Sequence, residues 1–255
     1  MAATLVRSRA MLTRPTSPRD WEEVPDGALL VEDGIIAAVG SFTELQRRHP
    51  TLPVVGTGGE VALPGFVNAH HHVGMTPVQL GSPDMPLELW FVTRMVMKAV
   101  NYRLDTLYSA FEMIASGVTT VQHIHGWVPG GMAEVMAGCN AVIGAYEEIG
   151  MRVSYCLGLR DQNRLVYQAD EEFLASLPAE LRPPMARWYA RLKLTLEENC
   201  DVFRGLHAEH AGKRRVRVQL APANLHWCSD AALTALADLS RDYDAPMHIH
   251  LLETA

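Results

Sequence analysis

The chain has 255 residues, 48% of them hydrophobic and 20% charged, with a mean hydropathy of +0.01, values that belong to a globular protein with ample material for a core. A net charge of -7 without a long basic run argues against a nucleic-acid partner, no apolar run spans a bilayer, and the apolar stretch after Met1 is too short for a secretory signal, so no membrane contact and a cytoplasmic setting are expected. The four cysteines, Cys139, Cys156, Cys200 and Cys228, are scattered without a Cys-x-x-Cys pair, which argues against a zinc ribbon or redox pair and for isolated buried thiols.

Residues 1 to about 62 read as a small β unit. Thr4 to Met11 is an apolar-rich strand, and Gly27 to Val31 and Ile35 to Val39 flank Glu32-Asp33-Gly34, the pattern of a hairpin with an Asp-Gly turn. Phe42 to His49 predicts a short helix stopped by Pro50, and Leu52 to Val55 with Val61 to Leu63 returns to extended structure. Gly56-Thr57-Gly58-Gly59 is glycine-rich, but no helix opens after it, so a turn is expected rather than a phosphate-cradling loop.

The stretch Leu63-Pro64-Gly65-Phe66-Val67-Asn68-Ala69-His70-His71-His72 then runs from a turn through an apolar segment into histidines. In a strand alternate side chains share a face, so His70 and His72 point one way and His71 the other. Two imidazoles on one face of a rigid strand are half a metal site; the competing readings are a polar strand end or a tag, and a tag would sit at a terminus.

Beyond the histidines strands and helices alternate. Helices are predicted over Leu87 to Val100, Asp105 to Ser116 (stopped by Gly117), Met132 to Ile149 (stopped by Gly150), much of Phe173 to His210 between prolines, and Asp230 to Leu239. Strands are predicted over Val118 to Val121, Arg152 to Leu157, Val216 to Leu220 and Ala245 to Leu252. The alternation argues for a parallel sheet with covering helices, and histidines at strand ends favour a closed barrel. Pro246-Met247-His248-Ile249-His250-Leu251-Leu252-Glu253-Thr254 is a second histidine-bearing strand end in which His248 and His250 share a face, and periodicity alone does not say which would touch a metal. Three weaker candidates for substrate binding lie between: Gln122-His123-Ile124-His125, of which one histidine is expected to reach a pocket; Trp127 in the loop Gly126 to Gly131; and Asn224 with His226 after the fourth of these strands.

The first histidine stretch resembles the opening metal motif of the amidohydrolase superfamily, usually Pro-Gly-hydrophobic-hydrophobic-(Asn/Asp)-x-His-x-His. The second resembles the fifth-strand motif His-x-x-Glu-(Thr/Ser) of its nucleobase, adenosylhomocysteine and triazine aminohydrolases. The resemblance implies a (β/α)8 TIM-type barrel over residues 63–255, covered here through about its fifth strand, after an N-terminal part of a β-sandwich over 1–62 that a distant C-terminus would complete. It implies one divalent metal ion, zinc or alternatively iron, on His70, His72 and His250, with Glu253 as proton shuttle and His248 as a barrel-interior histidine satisfied by hydrogen bonds. The family's usual substrate-facing histidine after the fourth strand falls on Ala223, so Asn224 or His226 takes that role or the substrate differs.

The implied function is hydrolysis at a carbon–nitrogen bond, most simply deamination of a small cyclic amidine such as a nucleobase or triazine by metal-activated water, in a protein expected to be a homo-oligomer when complete. The competing readings are hydrolysis of an amide, carbamate, urea or chlorotriazine, or a non-catalytic partial barrel. The family's sixth-strand histidine and eighth-strand aspartate have no residues here to fall on, so residues 1–255 alone are expected to be inactive.

Overall fold

The computed structural model describes residues 3–72, 83, 85–87, 89, 90, 93, 100–192 and 194–253, divided into two compact units, Met1–Gly65 and Phe66–Ala255. Of the helix expected over 87–100, Leu87, Leu89, Trp90 and Thr93 are helical and Val100 is not, while the remainder lies outside the described residues, as does Thr254.

The first unit is one sheet with order β3-β2-β1-β4 and β5 also on β1. Its strands are β1 (Ala3–Pro15), β2 (Trp21–Glu32), β3 (Ile35–Ser41), β4 (Val54–Val55) and β5 (Val61–Ala62), with helix α1 (Phe42–Arg48) after β3. The β2–β3 hairpin turns on Asp33 and Gly34, both at positive φ (49° and 78°), the backbone that a two-residue turn matched to strand twist requires. Leu5, Ala28, Leu30, Phe42 and Leu45 form its core. The hairpin strands run longer than their apolar segments predict, because β2 begins at Trp21 in charged sequence and is held by pairing with β1. At Gly56 to Gly59 the expected turn is present, closed by the Glu60 carboxylate, which accepts from the amides of Thr57 and Gly59.

The second unit contains a parallel sheet of order β6-β7-β8-β9, made of β6 (Phe66–His71), β7 (Val118–His125), β8 (Arg152–Leu159) and β9 (Val216–Pro222). Helices α2 (Tyr102–Ala115), α3 (Met132–Ile149), α4 (Asp170–Ser176), α5 (Arg182–Ala190), α6 (Leu196–Glu209) and α7 (Asp230–Tyr243) are interleaved with it. Their ends follow from local chemistry: Asn101 caps α2 by accepting from the Leu104 amide, Thr195 caps α6 and Ser229 caps α7. Gly150 ends α3 in the left-handed region. Between sheet and helices lies the main core, with Val121, Tyr146, Val153, Tyr155, Val218 and Leu220 among its members. On the opposite face Ile124, Cys156 and Ala221 touch as a small inner cluster, the two-sided burial of barrel strands. All four cysteines are buried and unbridged.

The strand expected over 245–252 is reduced to one parallel bridge, Met247 to Leu220. Its backbone still follows β9, since the amides of His248 and His250 donate to the carbonyls of Leu220 and Ala223. Among the described residues these bonds run to one side only, too sparse a ladder for a regular strand.

Two glycines of α3 test the helix packing in opposite directions. A Cβ on Gly138 would stand 2.7 Å from Val128 Cγ1 and 3.2 Å from Tyr102 Cε2, whereas one on exposed Gly144 would meet nothing within 4 Å. Gly138→Ala should lower stability by about 1–3 kcal/mol through overpacking, and Gly144→Ala should raise it by up to about 1 kcal/mol through helix propensity; chemical denaturation of the two variants checks both signs.

Candidate metal centre

Period-2 alternation on β6 sends His71 and its neighbours to opposite faces, as the sequence requires. His71 packs edge-on against His123, ring centroids 5.4 Å apart, toward the helices. His70 and His72 meet each other on the other face, where the one-sided strand brings in His248 and His250.

The hydrogen bonds to carbonyls fix which nitrogen carries the proton in two of the rings. His72 Nδ1 donates to the Ile124 carbonyl at 2.7 Å, and His250 Nδ1 donates to the Ala223 carbonyl at 2.8 Å. A carbonyl only accepts, so both Nδ1 atoms carry the proton and both Nε2 atoms keep a lone pair in the neutral rings. His70 Nδ1 lies 2.9 Å from His248 Nε2, and donation there leaves His70 in the same tautomer. The three Nε2 atoms then face one another, 3.0 Å from His70 to His72 and 3.1 Å from His72 to His250.

Lone pairs directed at one another at that distance repel unless a cation lies between them. A proton is the poorer candidate at neutral pH. Burial, and then the charge of His250, lowers the pKa of His70, while burial, His70 and His250 lower that of His248. Three bare imidazole nitrogens, each oriented from behind by a hydrogen bond on its other nitrogen, are a donor set that fits a divalent ion of the zinc type. One ligand atom from each of His70, His72 and His250 falls within 4.8 Å of the others. His248, expected to be a barrel-interior histidine, lies within hydrogen-bond distance of His70 itself.

Glu253 is exposed and lines the same cleft as His72 and His250. Its charge counts among the influences on His70, acting to raise that pKa. Between them Leu252 adopts a left-handed backbone, φ 56°, which ends the extended run before Glu253.

Four of the expected substrate-binding residues are placed elsewhere. His123 and His125 are buried on the helix side of β7, at 0% and 1% exposure. His123 Nδ1 shares a hydrogen bond with the Tyr146 hydroxyl at 2.9 Å, and His125 Nδ1 with that of Tyr155 at 2.7 Å. The inward residue at this strand end is Ile124, whose carbonyl holds His72. Asn224 is buried, and its Oδ1 accepts from the Trp227 amide at 2.9 Å, so it shapes its own loop. His226 is exposed and lies against Tyr167, ring centroids 4.8 Å apart. Trp127 stands over Arg160. Arg160 and Trp227 are among the described cleft residues that the sequence reading missed; the signal for the first was an arginine directly after the apolar run of β8.

The chain is similar to several known proteins. The amidohydrolase family matches residues 61–255, and an imidazolonepropionase-like composite domain of bacteria matches residues 27–51. A 5-methylthioadenosine/S-adenosylhomocysteine deaminase of Thermodesulfovibrio yellowstonii is 25% identical over 98% of this chain and 50% of its own length. An 8-oxoguanine deaminase of Pseudomonas aeruginosa is 28% identical over 89% of this chain and 48% of its own. Among solved structures, an atrazine chlorohydrolase of Arthrobacter aurescens complexed with zinc superposes with a TM-score of 0.74 at 19% identity, over 97% of this chain and 52% of that one. A guanine deaminase of C. acetobutylicum with bound guanine does so with a TM-score of 0.67 at 16% identity, over 98% and 53%. The chain thus spans about half the length of the curated relatives it matches.

The histidine pKa values carry a stability consequence. Burial, followed by the charge of His70, pushes His71 down to about 4 from an ordinary 6.5, and burial holds His123 well below its ordinary value. Both rings stay neutral in the folded protein and take up protons near pH 6.5 when unfolded, so their contribution is complete above that pH and is lost as pH falls from 6.5 toward 4. Denaturant midpoints of the metal-free protein should fall across that interval, and His71→Phe should make the fall shallower.

Proposed function

The chain belongs to the amidohydrolase family, and from that membership we propose that the protein carrying it hydrolyses a carbon–nitrogen bond of a small cyclic amidine, a nucleobase or triazine, at a zinc ion on His70, His72 and His250. The observation that supports this most strongly is the convergence of three Nε2 lone pairs beside the carboxylate of Glu253. Imidazole suits zinc, and a structural neighbour is complexed with it.

When bound, such an ion lowers the pKa of a water from 15.7 toward ~7 and makes hydroxide available at neutral pH. The residues of this chain do the rest. Backbone carbonyls of Ile124 and Ala223 keep His72 and His250 in the tautomer with a bare Nε2, and His248 does so for His70. Glu253 takes the proton that the attacking water gives up and returns it to the nitrogen that leaves, so ammonia or an amine departs neutral.

These roles separate experimentally. In the complete protein a His70→Ala, His72→Ala double variant should lose its stoichiometric metal, measured by elemental analysis; full metal in a folded variant would contradict the ligand assignment. His248→Phe should retain the site but weaken metal affinity about 10- to 100-fold, the usual cost of losing the partner behind a ligand. Glu253→Gln should keep its metal while kcat falls by about two to four orders of magnitude; metal loss there would make Glu253 a ligand instead.

A further inference from the structure

Alternation places His70 and His72 on one face of β6 but does not say which face; the register with β7 does. Asn68 pairs with Val121, and the next paired position is His71 with His123, three steps along β6 against two along β7. One extra residue therefore lies in β6. That is a β-bulge, rare between parallel strands and over-represented beside active sites, where it re-aims a side chain.

The bulge inverts the phase of the strand. Side chains paired across a parallel ladder point to the same face, and Val121 lies in the core between sheet and helices, so Asn68 faces the helices as well. Its Nδ2 lies 3.5 Å from Sδ of Met113 on α2, a member of that same core. His71 also faces the helices, against His123. Two helix-facing positions three residues apart do not occur in unbroken alternation. Without the extra residue, Asn68 would carry His70 and His72 to the helix face and leave His71 in the cleft.

Ala69 and His70 fall between the paired positions, and the His70 amide donates to Asn68 Oδ1 at 3.1 Å. Asparagine suits this place because its side chain reaches the backbone two residues on and mimics a backbone acceptor; a leucine of similar size offers none. We propose that Asn68 is a positioning residue for the metal centre: its carboxamide oxygen stabilises the one-residue bulge that turns His70 and His72 from the helix face of β6 to the cleft. There His70 Nε2 comes within 3.0 Å of His72 Nε2, and His72 Nδ1 reaches the Ile124 carbonyl. This assignment rests on the reading of His70, His72 and His250 as a metal centre.

The test uses the complete protein and two readouts: zinc affinity, by competition with a chromophoric chelator, and hydrogen exchange of the His70 amide in the metal-free protein, resolved with 15N-labelled histidine. Asn68→Leu should weaken zinc binding about 10- to 100-fold and quicken His70 exchange about 10-fold; Asn68→Ala serves in its place if the leucine variant does not fold. Asn68→Asp keeps the oxygen and should hold both readouts close to those of the unsubstituted protein. Met113→Leu removes only the sulfur contact, in a swap that cores tolerate, and should leave both unchanged. An unaltered value of either readout in the folded Asn68→Leu or Asn68→Ala variant, failure of Asn68→Asp to restore them, or a matching loss in Met113→Leu overturns the assignment. The metal-centre reading fails separately, if the unsubstituted protein binds no zinc, and His70 exchange then still decides whether Asn68 holds the bulge.

Discussion

Three imidazole lone pairs aimed at one point are the constraint on which the site depends. No neutral arrangement relieves the facing Nε2 atoms of His72 and His250, because the Nδ1 protons of both are committed to the carbonyls of Ile124 and Ala223. Those carbonyls belong to the ends of β7 and β9, so the tautomers depend on backbone register across the sheet. The shared register is unbroken along β7–β8–β9, from Thr120 paired with Arg152 to Leu159 paired with Pro222. A slip of one residue would turn Ile124 outward and put His123 or His125 in its place.

The outer face of the same strand shows what that alternation costs. His123 and His125 are buried beneath α2 and α3, each spending Nδ1 on a tyrosine hydroxyl. Burial raises the pKa of both Tyr146 and Tyr155 and lowers that of His123, so these three side chains stay neutral. A neutral hydrogen-bonded pair is the form in which polar side chains are tolerated in a core. The helix side of β7 therefore carries two buried histidines whose part is to hold the strand whose carbonyl orients a third.

Much of the fold was legible in the sequence. The Asp33-Gly34 turn, the glycine stops after α2 and α3, and the alternation of strand and helix follow from local rules that the tertiary structure does not override. His70 and His72 on one face, with His71 on the other, follow from period 2 alone. What was not legible depends on partners distant in sequence. Periodicity pairs His123 with His125 but does not say which face of β7 looks inward, and Asn224 and His226 have the polarity of substrate contacts yet serve the loop that presents Trp227. Arg160 gains its place only when the loop after β9 lays Trp227 over it, a contact between residues 67 positions apart that no local pattern carries.

Anomalous diffraction at the zinc edge, from crystals of the complete protein, tests the central claim most directly. A single strong peak at the point shared by the Nε2 atoms of His70, His72 and His250, with the Nδ1 atoms of His72 and His250 still on the carbonyls of Ile124 and Ala223, is the predicted result. A peak on other residues, or the three rings turned so that an Nδ1 faces the shared point, would contradict it.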